Sequence, residues 1–147
     1  MRSRLLREEP DRTWLLVFDR GDKVVEELVA FAREHDIGGA RLWGIGAFDH
    51  VELGFYRRER KDYGRFSFRE ELEVLSMGGN LSVTGEGPRV HAHVVVGRED
   101  GTAHGGHLFE AVVGPTLEVF VVEAASELRR EMDEDSGLPL IRLEGPG

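Results

Sequence analysis

Val90-His91-Ala92-His93-Val94-Val95-Val96, followed shortly by Ala103-His104-Gly105-Gly106-His107-Leu108, is the stretch on which both fold and chemistry turn. The valine-rich run reads as a strand, and its continuous apolar character predicts burial on both faces. Side chains alternate along a strand, so His91 and His93 point the same way, about 7 Å apart. Asp100-Gly101 supplies a tight return that brings the second segment back alongside the first. If that segment stays extended, Ala103, Gly105 and His107 share one face while His104 looks the other way. Three imidazoles then converge from adjacent strands, a donor set that suits a first-row divalent metal. Two neutral imidazoles side by side in a strand need partners for four ring nitrogens, and an unsatisfied buried polar group costs about 1–3 kcal/mol. A metal would satisfy one nitrogen on each. Three ligands would leave a coordination position open, as in catalytic rather than structural zinc sites.

The rest of the composition narrows the setting. The chain has 147 residues, enough for one domain, with 40% hydrophobic and 32% charged residues. It contains no cysteine, which excludes disulfides, iron–sulfur clusters and thiolate zinc sites and leaves nitrogen and oxygen ligands. No apolar run approaches the roughly 18 residues of a membrane helix. The first ten residues are charged and carry no signal-peptide core, so a cytoplasmic location is expected by default. Net charge is −9, which weighs against a broad nucleic-acid surface. The charge is uneven: residues 57–65 carry a local +3 and residues 123–135 a local −4.

Taken in order, residues 13–19 read as a first strand. Gly21-Asp22 opens an amphipathic helix with Asp22 as N-cap, and Gly38-Gly39 ends it. His35 near its end complements the negative pole of the helix dipole. Residues 40–48 form a strand in which Gly44 and Gly46 predict a bulge or close backbone approach. Asp49-His50 reads as a turn, 51–56 as a strand, and 57–65 as a basic loop. A long strand over 66–77, a turn at Gly78-Gly79-Asn80, and a short strand over 81–84 follow. Residues 85–88 turn into the histidine strand. A helical turn is expected over 108–111, a strand over 116–123, a short helix over 126–132 and an edge strand over 138–143. No internal repeat or linker interrupts the chain, so residues 1–147 are expected to form a single domain.

Two carboxylates stand out as candidate catalytic groups. Glu118 alternates onto a face with Phe120 and Val122, and Glu73 onto a face with Leu75 and Met77. A carboxylate on an apolar face must be paired, protonated or beside a cation. Either residue would serve behind a ligating histidine, as a general base, or in an ion pair across a subunit contact. Gly44-Ile45-Gly46 lacks the third glycine and following helix of a dinucleotide site.

The segments Leu72-Glu73-Val74-Leu75-Ser76-Met77-Gly78-Gly79, His91-Ala92-His93, Asp100-Gly101, Gly105-Gly106-His107-Leu108 and Thr116-Leu117-Glu118-Val119 together resemble the PPC domain family. Gly44-Ile45-Gly46-Ala47 and Glu52-Leu53-Gly54-Phe55-Tyr56 extend the likeness over nearly the whole chain. The resemblance implies an α+β fold built on an antiparallel sheet of about seven strands with one main helix, and a homotrimer. It implies His91, His93 and His107 as metal ligands, as in prokaryotic members. The implied fold is similar to that of acetolactate decarboxylase, whose zinc is held by three histidines. Plant members join this domain to AT-hooks, and the family is often labelled DNA-binding. No Arg-Gly-Arg hook core occurs in this chain, so the plant mode of minor-groove binding does not transfer.

The expectation is therefore a stand-alone, trimeric domain of this family with a three-histidine divalent-metal site, zinc being the first candidate. Its role by resemblance is a regulatory or DNA-associated binding module, with DNA binding weak at most and no membrane association. The alternative is a metal-dependent lyase or hydrolase acting on a small oxygenated acid held at the metal.

Overall fold

The central feature of the fold is a strand long enough to serve three neighbours. The computed structural model describes residues 1–9 and 11–143. Its strands are β1 (Arg2–Arg7), β2 (Thr13–Asp19), β3 (Ala40–Arg57), β4 (Asp62–Phe68), β5 (Leu72–Thr84), β6 (Gly87–Gly97), β7 (Ala103–Glu123), β8 (Arg130–Asp133) and β9 (Leu138–Ile141). Helix α1 (Val24–Glu34) follows β2. Seven strands form one antiparallel sheet in the order β1-β2-β7-β6-β5-β3-β4, and β7 also pairs with β3. The sheet thus curls until its interior strands meet. β7 pairs with β6 through residues 103–107, then with β3, and with β2 through residues 116–122. This is the α+β architecture expected from the sequence.

Alternation decides which face is core. Trp14, Leu16 and Phe18 of β2, Leu117, Val119 and Val121 of β7, and Ala92, Val94 and Val96 of β6 are all buried. Val24, Leu28, Phe31 and Ala32 of α1 close over this layer. Each large apolar side chain so covered contributes about 1.5–3 kcal/mol relative to an exposed one. β6 is buried on this face alone, for Val95 is 40% exposed. The expected two-sided burial is corrected accordingly: among the described residues nothing covers the outer face at Val95.

Several local expectations are also corrected. Gly78-Gly79-Asn80 is no turn; β5 runs straight through it, with Gly78, Gly79 and Asn80 opposite His93, Ala92 and His91. A Cβ on Gly79 would lie 2.2 Å from the His91 carbonyl oxygen, so this glycine is there for close strand approach. Asp49-His50 likewise lies inside β3, which changes register against β7 there rather than turning. The strand expected over 66–77 breaks between Phe68 and Leu72. Residues 108–111 are extended, Leu108 and Ala111 pairing with Leu53 and Val51 of β3. Residues 126–132 end in β8, not in a helix.

Helix α1 also differs at its ends. Lys23 occupies the N-cap without a side-chain bond, while the Asp22 carboxylate accepts from the Asp19 N–H. At the other end Asp36 takes the left-handed conformation, with φ 54°, ahead of the two glycines. Ile37 N–H donates to Ala32 O at 2.9 Å, and the buried Ile37 side chain seals the turn. Two expectations hold: the Gly44–Gly46 irregularity is a register shift against β5, and β9 is a short edge strand, paired with β8 alone.

Candidate metal centre

Because Ala92, Val94 and Val96 face the core, His91 and His93 must face away from it. His107 sits directly opposite His93 across the β6–β7 ladder, and Gly106 and Gly105 oppose Val94 and Val95. Gly106 lets β7 pass close to β3, for a Cβ there would lie 2.8 Å from the Gly54 carbonyl oxygen. The three imidazoles meet as expected. Ring centroids lie 5.2 Å apart for His91–His93, 5.2 Å for His91–His107 and 5.6 Å for His93–His107. One nitrogen from each falls within 4.8 Å of the others. His91, His93 and His107 would each offer one nitrogen to a divalent ion held here.

The chemistry of the donors fits a cation. His107 packs between Tyr63 and Phe109, each ring 5.0 Å away, and its Nδ1 is buried with no partner among the described residues. Burial, reinforced by the neighbouring His91 and His93, pushes the His107 pKa down to about 4. Burial and then the Arg130 charge lower that of His91. Both rings are neutral at neutral pH, the form that ligates. The depressed value has a sign for stability. Below the ordinary histidine value of about 6.5, the unfolded chain binds a proton that folded His107 refuses. The metal-free protein should therefore lose stability as pH falls from about 6.5 toward 4. Thermal melts across this window check it, and His107→Phe should flatten the dependence.

The sequence did not point to the residue that frames this site. Arg130, at the start of β8, is only 8% exposed and lies over β5 and β6. Its Nε donates to Ser82 Oγ at 2.8 Å and its Nη1 to Pro139 O at 2.8 Å. Its Nη2 donates to Asn80 Oδ1 at 3.0 Å and to His91 Nδ1 at 3.1 Å. Among the described residues no carboxylate lies within 4.0 Å of this guanidinium, by the ion pairs the fold forms. Beside it opens a cavity of about 650 Å³, lined by Tyr63, Arg89, His91, His107, Phe109 and Arg130 among others. In sequence, Arg130 is one of two arginines in the acidic stretch 123–135, and nothing local marks it as buried.

The remaining candidates lie elsewhere. His104 points away from the cluster, as alternation requires, and packs on Phe68 at 4.6 Å. His35 is wedged between Trp14 and Phe31, each 4.5 Å away. Glu73 and Glu118 line a separate hollow with Ile45 and Leu75, on strand faces turned away from the core. Both are exposed, so neither needs the buried partner that an apolar face would have demanded. Glu73 pairs with Gly97, four residues beyond His93 on β6 and roughly 13 Å along the strand.

Fold and site together define the class: a curled antiparallel sheet, backed by one helix, with a histidine triad on the face turned away from that helix. Residues 6–125 match the family model of the Plants and Prokaryotes Conserved (PCC) domain, and the chain belongs to that family. Similar solved structures include a metal-containing protein from Archaeoglobus fulgidus, 36% identical over 89% of this chain and 93% of that one, with TM-score 0.83. A plant- and prokaryote-conserved (PPC) protein from Pyrococcus horikoshii is 28% identical over 96% of this chain and all of that one, with TM-score 0.85. A protein from Bacteroides thetaiotaomicron, provisionally described as DNA-binding, is 28% identical over 95% and 96%, with TM-score 0.87. Acetolactate decarboxylase from Bacillus subtilis shares the fold alone, at 18% identity and TM-score 0.51 over 82% of this chain and 56% of that one. No curated protein matches the chain in sequence. Among the described residues no helix is long and apolar enough to cross a membrane.

Proposed function

We infer that this chain is a divalent-metal domain that presents its ion to a small molecule, with His91, His93 and His107 as ligands and zinc as the first candidate. One observation carries the reading: two of the three converging histidines also line the 650 Å³ cavity, a volume in the range of small-molecule sites. The metal-containing relative from Archaeoglobus fulgidus supports it. A bound divalent ion would supply Lewis acidity toward an oxygen ligand at the open position. The protein's own part is to hold the three imidazoles, exclude water with Tyr63 and Phe109, and position Arg130. Metal-dependent lyase or hydrolase chemistry on a small oxygenated acid fits this arrangement better than nucleic-acid recognition. Calorimetric titration of zinc into metal-free protein at pH 7.5 tests the reading. One site per chain is expected, and no saturable binding would sink it.

A regulatory, DNA-associated role is the second reading, favoured by relatives provisionally described as DNA-binding. Charge opposes it here. The basic stretch is partly engaged within the chain, since Arg65 pairs with Glu52, Arg57 with Asp62, and Lys61 donates to Glu134 O. With −9 per chain, duplex DNA should bind no tighter than roughly micromolar at about 0.15 M salt. Fluorescence anisotropy with an AT-rich duplex checks this, and nanomolar sequence-selective binding would reverse the ranking.

The assembly is a homotrimer on this reading. Trp43, Ile45, Leu75 and Val95 are all exposed in one chain, and apolar groups clustered outside the core mark an association surface. Size exclusion with light scattering should give the mass of three chains. A monomer at micromolar concentration would count against it.

A further inference from the structure

We propose that Arg130 is the anion receptor of the histidine cavity, freed by metal binding at His91, so that the metal and a small carboxylate bind cooperatively. This rests on the metal reading of the three histidines and adds the class of ligand to it. A guanidinium only donates, so in the bond to Arg130 the Nδ1 of His91 accepts, and the proton of the neutral ring sits on Nε2. An ion on Nδ1 would take the lone pair that accepts from Arg130. An ion on Nε2 would displace the proton there, and the neutral ring would then carry it on Nδ1, facing the Arg130 donor. The bond between Arg130 and His91 and a metal on His91 therefore exclude each other, whichever nitrogen ligates.

Loss of that bond leaves Arg130 pinned by Ser82 Oγ, Asn80 Oδ1 and Pro139 O. Among the described residues one Nη2 hydrogen then has no partner, and one Nη1 hydrogen has none already. Two free donors from one planar fork match the two oxygens of a carboxylate. The guanidinium is buried and, among the described residues, lacks a carboxylate counter-charge, a costly state that an anion relieves. Arg89 on the cavity wall adds positive charge. Glu86 and Glu131 also line the cavity, but the Glu131 carboxylate lies 3.8 Å from Arg142. A carboxylate held by Arg130 would sit beside His91, within reach of an ion on the triad.

The test is calorimetric titration of zinc chloride into metal-free protein, with and without excess sodium acetate at matched ionic strength. Acetate should tighten zinc binding about tenfold or more, and zinc should tighten acetate by the same factor, as linkage requires. Arg130→Gln should still bind zinc but lose the acetate effect. Should that variant fail to fold, ¹⁵N side-chain spectra of the arginines in the wild type decide. An Arg130 shift with acetate in the zinc-loaded form but not the metal-free form supports the proposal. Zinc binding that acetate leaves unchanged overturns the proposal and leaves the metal reading standing, as does an acetate effect that survives in Arg130→Gln. Absence of zinc binding under every condition removes both.

Discussion

His93→Ala should strip the protein of its metal, whereas His104→Ala should leave the metal content unchanged. The two histidines lie on neighbouring strands and would look equivalent in a sequence, but β-alternation sends them to opposite faces. His93 lies opposite His107 and within 5.2 Å of His91, while His104 packs on Phe68. Removing a residue that merely supports a ligand typically costs 10–100-fold in metal affinity, so removing one of three ligands should cost on the order of 100-fold or more. His93 is exposed and contributes little to the core, so the folded state should change by no more than about 0.5 kcal/mol. Elemental analysis of both variants, purified side by side with the parent, gives the answer. Equal metal in the two variants, or loss in His104→Ala alone, would put the site on the wrong face of the sheet.

The second large effect is on stability. Gly79→Ala should destabilise the fold by about 1–3 kcal/mol or more, while Gly78→Ala should stay within about 0.5 kcal/mol of the parent. A methyl group on Gly79 would sit 2.2 Å from the His91 carbonyl oxygen and 2.7 Å from the Ala92 Cα. Those are backbone atoms in a paired strand and cannot step aside without moving β6. A methyl group on Gly78 meets nothing within 4 Å. Urea unfolding of the two variants should show a lowered midpoint for the first alone, at unchanged slope. Equal midpoints would mean the β5–β6 spacing yields more easily than its geometry implies. Because Gly79 faces Ala92 between the two histidines of β6, the same variant should also weaken metal binding by disturbing that strand.

What the sequence determined by itself follows from short-range rules. Period-two alternation placed His91 and His93 on one face and turned His104 away, and the Asp100-Gly101 return put His107 within a strand's width of His93. The helix was legible from its apolar stripe, and the bulge from paired glycines inside an extended run. The resemblance to the PPC domain supplied the strand number and single helix that the fold shows.

What only the tertiary structure decided concerns partners distant along the chain. Gly78-Gly79-Asn80 and Asp49-His50 read as turns because local chemistry does not distinguish a chain that reverses from one that runs on, as β5 does where Gly79 makes room for β6 and β3 does where it shifts register. Glu118 looked anomalous because alternation names two faces without saying which is covered; α1 covers the other one. Arg130 could not be read at all. Its burial is created by Asn80, Ser82, His91 and Pro139, which meet only when β8 and β9 fold over the β5–β6 pair. A charge becomes informative when it is buried without a counter-charge, and burial is a property of the assembled fold.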